Sequence, residues 1–163
     1  MKIKSNNVIL DNLDCQILNL LQENAKLTFA EMGKELDVAH STVYDRIQKM
    51  EKHGVIKKYE VVLDPEKIGV NQTIALMNIV TDPKETENIA RTLTRFDEVL
   101  EVSTAFSEEI IIAAKVATKN QAELQSFIAK SIAPIPGILR IRTSIITRKF
   151  KEKRFPTLFK RDA

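Results

Sequence analysis

Apolar positions recur at helical spacing in two neighbouring stretches near the N-terminus. The first stretch carries Phe29, Met32 and Leu36, and the second carries Val43, Ile47 and Met50. Each set forms one apolar stripe along a helix. Between them lies Asp37, a residue type that tolerates the positive φ of a tight turn. The pattern therefore predicts two short amphipathic helices that pack together through a turn.

Local signals predict where these helices begin and end. Thr28 followed by Glu31 has the capping-box form, which predicts a helix beginning at Phe29. Gly54 predicts the end of the second helix. The apolar and basic stretch 55–59 then predicts a strand, continued by 61–63 and broken at Asp64-Pro65. A basic strand after two such helices is typical of a winged helix.

The second helix presents a polar and partly basic outer face, made by His40, Ser41, Thr42, Tyr44, Asp45, Gln48, Lys49 and Lys52. These side chains donate and accept hydrogen bonds, as a helix lying in a DNA major groove must. The pattern favours a helix-turn-helix, although two amphipathic helices joined by a short turn also occur in proteins that do not bind DNA.

The flanking sequence predicts the rest of the architecture. Asp11 and Asp14 predict the start of a preceding helix, because carboxylates stabilise a helix N-terminus. After the hinge, the predicted order is strand, helix, strand, strand, helix, strand, at 73–80, from 82, 99–105, 110–116, 120–132 and 138–147. The predicted domains are 1–64, with a linker strand, and 71–163, with a basic tail, joined by the hinge 65–70.

This order predicts an α+β protein whose second domain is an antiparallel sheet covered on one side by two helices. The other face of the sheet would include apolar residues from 73–80 and 110–114. A monomer would expose that patch to water, and pairing two sheets with two-fold symmetry would cover it. We therefore expect a homodimer.

Composition bounds the class of protein. The chain has 163 residues, 44% of them hydrophobic, and a net charge of +3. The counts of Lys/Arg and Asp/Glu are nine and ten in 1–64, nine and ten in 65–146, and seven and two in 147–163, giving −1, −1 and +5. The only cysteine, Cys15, allows no intrachain disulfide. With no signal-peptide pattern, we expect a cytoplasmic protein, and no spacing of residues indicates a metal or cofactor site.

An ordered set of segments carries a specific resemblance. ELDVAHSTVYDRIQKMEKHGVI is preceded by LDNLDCQILNLLQENAKLT and followed by KKYEVVLDPEKIG, and IPGILRIRTS lies near the C-terminus. This set resembles the Lrp/AsnC family of transcription regulators over nearly the whole chain. The resemblance implies an N-terminal winged helix-turn-helix and a C-terminal ferredoxin-like βαββαβ domain of the RAM type. It also implies a regulator that binds near-palindromic double-stranded DNA as a dimer or larger oligomer, with an amino-acid effector.

The predicted DNA contacts follow from this reading. We expect base contacts from His40, Ser41, Thr42, Tyr44 and Gln48, and phosphate contacts from Lys49, Lys52, Lys57 and Lys58. Arg46 stands where the family has an arginine. It would contact DNA or instead brace the domain through an ion pair with an acidic residue. Ala39 replaces the serine that often caps the recognition helix in the family.

The predicted effector turn departs from the family pattern. Members commonly have a glycine and, three residues on, an aspartate in the turn between the second and third strands of the C-terminal domain. Here Ser107 and Ile110 occupy those positions, with Glu108 and Glu109 between them. We expect these residues either to form an altered effector site or to be a solvated turn. Neutral amino acids should bind weakly in both cases.

Two other functions compete with the regulator. The basic tail 147–163, interleaved with Phe150, Phe155 and Phe159, would suit an architectural DNA-binding protein with little sequence preference. A sirohaem-decarboxylase-like enzyme of the same fold would need a histidine in its C-terminal domain. Both histidines, His40 and His53, precede it, so we expect no enzymatic activity.

Overall fold

The computed structural model describes residues 3–5, 8–65, 67–106, 109–152 and 155–158. Contacts divide the chain into two compact units, Met1–Val62 together with Glu152–Ala163, and Leu63–Lys151. The part of the tail from Glu152 onward thus groups with the first unit, whereas the sequence predicted that the whole tail belongs to the C-terminal domain. Within this unit, two hydrogen bonds join the Asn19 side chain to the Leu158 backbone, 139 residues apart.

The first unit contains a short hairpin and three helices. Strands β1 (Ile3–Ser5) and β2 (Val8–Leu10) pair antiparallel. Helices α1 (Asn12–Glu23), α2 (Phe29–Leu36) and α3 (His40–Lys52) follow. Their apolar stripes meet in one core, formed by Ile17, Met32, Val43, Ile47 and Met50. The predicted packing of two amphipathic helices through a turn is confirmed.

Short-range hydrogen bonds set the helix ends. Asp11 and Asp14 form a capping box at the start of α1, and Thr28 and Glu31 form the predicted one at α2. Asp37 ends α2 in the left-handed conformation, with φ of 54°. Ala39 precedes α3 and makes no side-chain capping bond, as its methyl group requires.

The prediction of a wing strand at 55–59, continued by 61–63, was wrong, since these residues belong to no strand. The Val55 and Ile56 amides donate to the Met50 carbonyl and so complete the end of α3. Val61 and Val62 are 78% and 86% exposed. Apolar composition gives a strand only where a neighbouring backbone can pair with it, and within the first unit the described strands pair with each other. The β1–β2 hairpin was not predicted, because three-residue strands are too short for a periodic signal.

The second unit has the predicted βαββαβ order. Its elements are β3 (Thr73–Thr81), α4 (Thr86–Leu93), β4 (Val99–Phe106), β5 (Ile110–Thr118), α5 (Gln121–Phe127), which continues as the π-helical turn Ile128–Ile132, and β6 (Ile138–Ile145). The strand order is β4-β5-β3-β6, and every described pair is antiparallel. Helix α4 begins four residues later than predicted, because residues 82–85 form a turn closed by the Glu85 amide on the Asp82 carbonyl.

Both helices of this unit cover one face of the sheet. Met77, Ile79, Ile112 and Val116 point into a core shared with residues of α4 and α5. The opposite face carries exposed Leu76, and also polar residues, since Leu76 lies beside Lys115 in the strand register. Six of the eight residues that β3 and β5 place on this face are nevertheless apolar, as the sequence predicted. No helix in the described ranges has the length and hydropathy needed to cross a lipid bilayer.

Candidate nucleic-acid interface

Helix α3 buries one face and exposes the other. Val43, Ile47 and Met50 are at most 2% exposed. The residues predicted to contact DNA lie away from them: His40, Ser41, Tyr44, Gln48, Lys49 and Lys52 are exposed, and Thr42 and Arg46 are half-buried. Lys57 and Lys58, just after the helix, are also exposed. The exposed side of α3 therefore presents donors, acceptors and cations, and two further exposed lysines follow it in the chain.

The turn before α3 depends on a glycine that the sequence analysis did not single out. Gly33 is buried, and its carbonyl accepts a hydrogen bond of 2.9 Å from the Val38 amide. A Cβ at this position would lie 2.7 Å from the Val38 carbonyl oxygen, closer than atoms can approach without a shift of the backbone. The absence of a side chain at Gly33 thus allows α3 to pack tightly after α2.

Arg46 joins α3 to the start of α1 through ion pairs with two carboxylates. Its Nη1 donates to Asp11 Oδ2 at 2.6 Å and to Asp14 Oδ1 at 3.1 Å. The hydrogen bond from the Asp14 backbone and the contacts with Arg46 hold the pKa of Asp11 below its usual range, against the opposing effect of burial. The ion pair considered from the sequence is present and ties α3 to the N-terminus of α1. A contact between Arg46 and DNA stays a prediction.

Tyr44 is positioned by an aromatic neighbour on α2. The rings of Phe29 and Tyr44 meet edge to face, with centroids 5.4 Å apart and planes at 69°. Tyr44 remains 47% exposed. Because aromatic pairs prefer this arrangement, the contact with Phe29 favours one orientation of the Tyr44 ring.

Gln48 takes part in a hydrogen-bond cluster that the sequence analysis missed. Its Nε2 donates to Glu51 Oε2 at 3.0 Å, and the Tyr59 hydroxyl donates to Glu51 Oε1 at 2.8 Å. Burial raises the pKa of Tyr59 to about 12, with a further contribution from the hydrogen bond to Glu51 and its charge. The spacing of Gln48 and Glu51 on a helix was a signal for the first contact, but nothing local indicated the second.

Four lysines lie in the last turn of α3 or soon after its end. Lys49 and Lys52 lie in the last turn of α3, where positive charge also stabilises the helix C-terminus. Lys58 Nζ lies 3.4 Å from Glu60 Oε1, with most of its side chain exposed. An exposed pair of this kind is weak, so Lys58 stays available to a phosphate group.

The predicted effector turn is described only in part. Ser107 and Glu108 lie outside the described residues. Glu109 Oε2 accepts from Arg140 Nη2 at 2.7 Å, on the exposed surface. An open cleft of about 600 Å³ lies near this turn, lined by Thr86, Glu87, Arg91, Ser103, Thr104 and Ile110 among others. In the described part of the chain, no cluster of three or more His, Cys, Asp or Glu side chains could hold a metal ion.

Comparison with known proteins gives matches to both units. Residues 10–51 match the model of the AsnC-type helix-turn-helix domain. Residues 74–155 match the model of the Lrp/AsnC ligand binding domain. Together they cover most of the described chain, including all but the last residue of α3 and all but the first residue of β3.

Relatives and solved structures agree with these matches. The HTH-type transcriptional regulator FL11 of Pyrococcus horikoshii is 33% identical over 145 residues, which cover 89% of this chain and 94% of that protein. The structure of Escherichia coli AsnC is similar with a TM-score of 0.81 at 26% identity, covering 91% of this chain and 99% of that one. An AsnC-family regulatory protein of Pyrococcus furiosus has a TM-score of 0.71 at 34% identity, covering 87% and 92%.

Proposed function

The chain belongs to the Lrp/AsnC family of transcription regulators, and from that premise we propose that it recognises near-palindromic DNA as a dimer or larger homo-oligomer. It is a regulator with a DNA-binding helix-turn-helix and a ligand-binding domain, and not an enzyme, since its relatives and structural neighbours are regulators. Its DNA specificity, its assembly and its effector are the parts that we propose. A cytoplasmic location belongs to the same proposal, because the protein must reach DNA.

The exposed face of α3 is the observation that carries the proposal of sequence-specific binding. Its apolar side is fully buried, so the polar side is presented on a rigid helix. Gln48 and His40 offer groups that read base edges, whereas Lys57 and Lys58 offer charge to phosphates. Two such helices related by a two-fold axis would enter successive major grooves, with half-sites about 10 bp apart or a multiple of that.

Selection of genomic fragments, followed by titration of variants, tests this proposal. Lys57→Ala or Lys58→Ala should weaken binding to all DNA and lower the salt slope by about one unit for each phosphate left without its lysine. Gln48→Ala or His40→Ala should cost about 1–3 kcal/mol on the selected site alone if the native side chain binds a base edge. If all four variants weaken specific and random DNA by the same factor, α3 does not read bases.

That outcome would favour the architectural function, which the basic tail supports independently. Residues 147–163 carry seven Lys/Arg against two Asp/Glu. Broad enrichment of fragments without a common palindrome, together with a large salt slope, is the result expected of such a protein.

We propose that the dimer forms through the apolar segment that joins the units and through the bare sheet face. Val61, Val62 and Leu63 are 78%, 86% and 64% exposed and lie in no helix or strand. A second copy could pair with this segment and cover its side chains. Val62→Asp should therefore shift the protein toward monomer in light scattering at micromolar concentration. Ile9→Asp, at another exposed apolar position, is the control, and equal effects of the two would contradict the assignment.

The effector proposed is a small molecule of the amino-acid class, bound near the turn that contains Ser107, Glu108 and Glu109. Glu109 is engaged with Arg140, and the turn lacks the glycine that would give its backbone freedom. We therefore expect leucine and other neutral amino acids to bind weakly or not at all. Calorimetry against the common amino acids tests this, and sub-millimolar binding of leucine would overturn it.

A further inference from the structure

Glu51 lies at the centre of a three-residue cluster on the C-terminal half of α3. Each of its two carboxylate oxygens accepts one hydrogen bond, Oε2 from Gln48 Nε2 at 3.0 Å and Oε1 from the Tyr59 hydroxyl at 2.8 Å. Gln48 and Glu51 are one turn apart on the helix, whereas Tyr59 lies seven residues beyond the end of α3. The hydrogen bond from Tyr59 to Glu51 therefore connects the segment after α3 to the helix.

The chemistry of the carboxylate fixes the orientation of the Gln48 amide. An ionised carboxylate only accepts hydrogen bonds, so the group of Gln48 that faces it must be the NH₂ and not the carbonyl oxygen. One amide hydrogen is used in this way. The second amide hydrogen and the carbonyl oxygen remain, and they are the donor and acceptor that a glutamine uses to bind adenine N7 and N6 in the major groove.

Tyr59 limits the freedom of Glu51 in turn. Glutamate side chains have several rotatable bonds, and an exposed one exchanges between rotamers. The hydrogen bond from Tyr59 to one oxygen favours the rotamer in which the other oxygen faces Gln48. The ordinary pKa of a tyrosine is about 10, so the Tyr59 hydroxyl is protonated at physiological pH and remains a donor.

We propose that Glu51 and Tyr59 are positioning residues, which orient Gln48 so that it selects an A·T base pair in each half-site. This inference rests on the proposed function, since it requires that α3 reads bases. It goes further by naming the base pair and two residues that act without touching DNA. It also makes the segment after α3 part of the specificity of the helix.

The test compares variants of the full-length protein on the selected site and on the same site with its A·T pairs replaced singly. Tyr59→Phe removes the hydroxyl and keeps the ring. Glu51→Gln leaves one acceptor oxygen where two donors approach. Glu60→Gln removes the same charge from the neighbouring segment, whose ion pair is with Lys58, and so controls for the loss of a negative charge near the phosphates.

We expect Tyr59→Phe and Glu51→Gln to lower discrimination at one A·T pair by about threefold to tenfold. Random-DNA affinity should be unchanged in Tyr59→Phe and should rise equally in Glu51→Gln and Glu60→Gln. In a Gln48→Ala background, neither substitution should reduce discrimination further, because the group that they orient is absent. In the free protein, the Gln48 side-chain amide resonances should shift in both variants and stay in place in Glu60→Gln.

Other outcomes separate this inference from the proposed function. If the unmodified protein selects a palindrome but Tyr59→Phe keeps full discrimination, or loses the same amount with and without Gln48, the inference alone is wrong. If the unmodified protein shows no preference for any site, both fail. Thermal unfolding of each variant shows whether a loss arises from misfolding, and unshifted Gln48 amide resonances in a folded Glu51→Gln would also overturn the inference.

Discussion

Replacing Arg46 by methionine should destabilise the first unit by about 1.5–4 kcal/mol at neutral pH. The Asp14 side chain is only 6% exposed, and a hydrogen bond to a charged group at such a site contributes about 1.5–3 kcal/mol. The Asp11 side chain is 38% exposed, and a screened pair of this kind adds about 0–1 kcal/mol. Methionine keeps most of the aliphatic stem, so the destabilisation measures the ionic interaction and not a cavity.

Thermal unfolding followed by circular dichroism, at fixed protein concentration, measures this destabilisation. For a unit of this size, it corresponds to a fall of roughly 6–30 °C in the midpoint of the first unit. Arg46→Lys is the matched control, because it keeps the charge and removes the fork that reaches two carboxylates. Lysine should restore only part of the stability.

The effect should also depend on pH in a defined direction. Because the pKa of Asp11 is lowered in the folded protein, its stabilisation is present above the ordinary carboxyl pKa, near 4, and is lost as the pH falls through the folded value. Arg46 supplies part of that lowering, after the Asp14 backbone hydrogen bond. The part of the destabilisation in Arg46→Met that comes from Asp11 should therefore be present at neutral pH and disappear as the pH falls through the folded value. Two results together would refute this structural role of Arg46. If the unfolding midpoint of Arg46→Met is unchanged and the salt slope of its DNA binding falls by about one unit, Arg46 contacts a phosphate instead.

Two further predictions concern short-range packing and hydrogen bonding in the first unit. Gly33→Ala should cost about 1–3 kcal/mol in thermal unfolding, because its Cβ would meet the Val38 carbonyl oxygen. Gly54→Ala is the comparison, because its Cβ would meet nothing within 4 Å and its cost comes from the positive φ alone. An unfolding midpoint unchanged by Gly33→Ala would contradict the reasoning. Asn19→Ala should remove both hydrogen bonds to Leu158 and speed hydrogen exchange at the Leu158 amide. Unchanged exchange would mean that these bonds do not hold the tail in solution.

Local interactions allowed much of the first unit to be predicted from sequence. Residues within a few positions of one another form the capping box of Thr28 and Glu31, and the turn at Asp37 is equally local. Such features can therefore be predicted from the sequence. The same holds for the stripe that buries one side of α3 and thereby exposes the candidate DNA-reading face. The βαββαβ order was likewise predictable, because each element is long enough to show its own period.

Tertiary structure alone decided the features that depend on a distant partner. The segment after α3 has the composition of a strand, yet it forms none in the described chain, because composition does not provide a neighbouring backbone. Tyr59 meets Glu51, and Leu158 meets Asn19, only because the folded backbone brings them together. Helical periodicity determines which residues face outward, but the orientation of an outward side chain such as Gln48 depends on interactions that only the fold supplies.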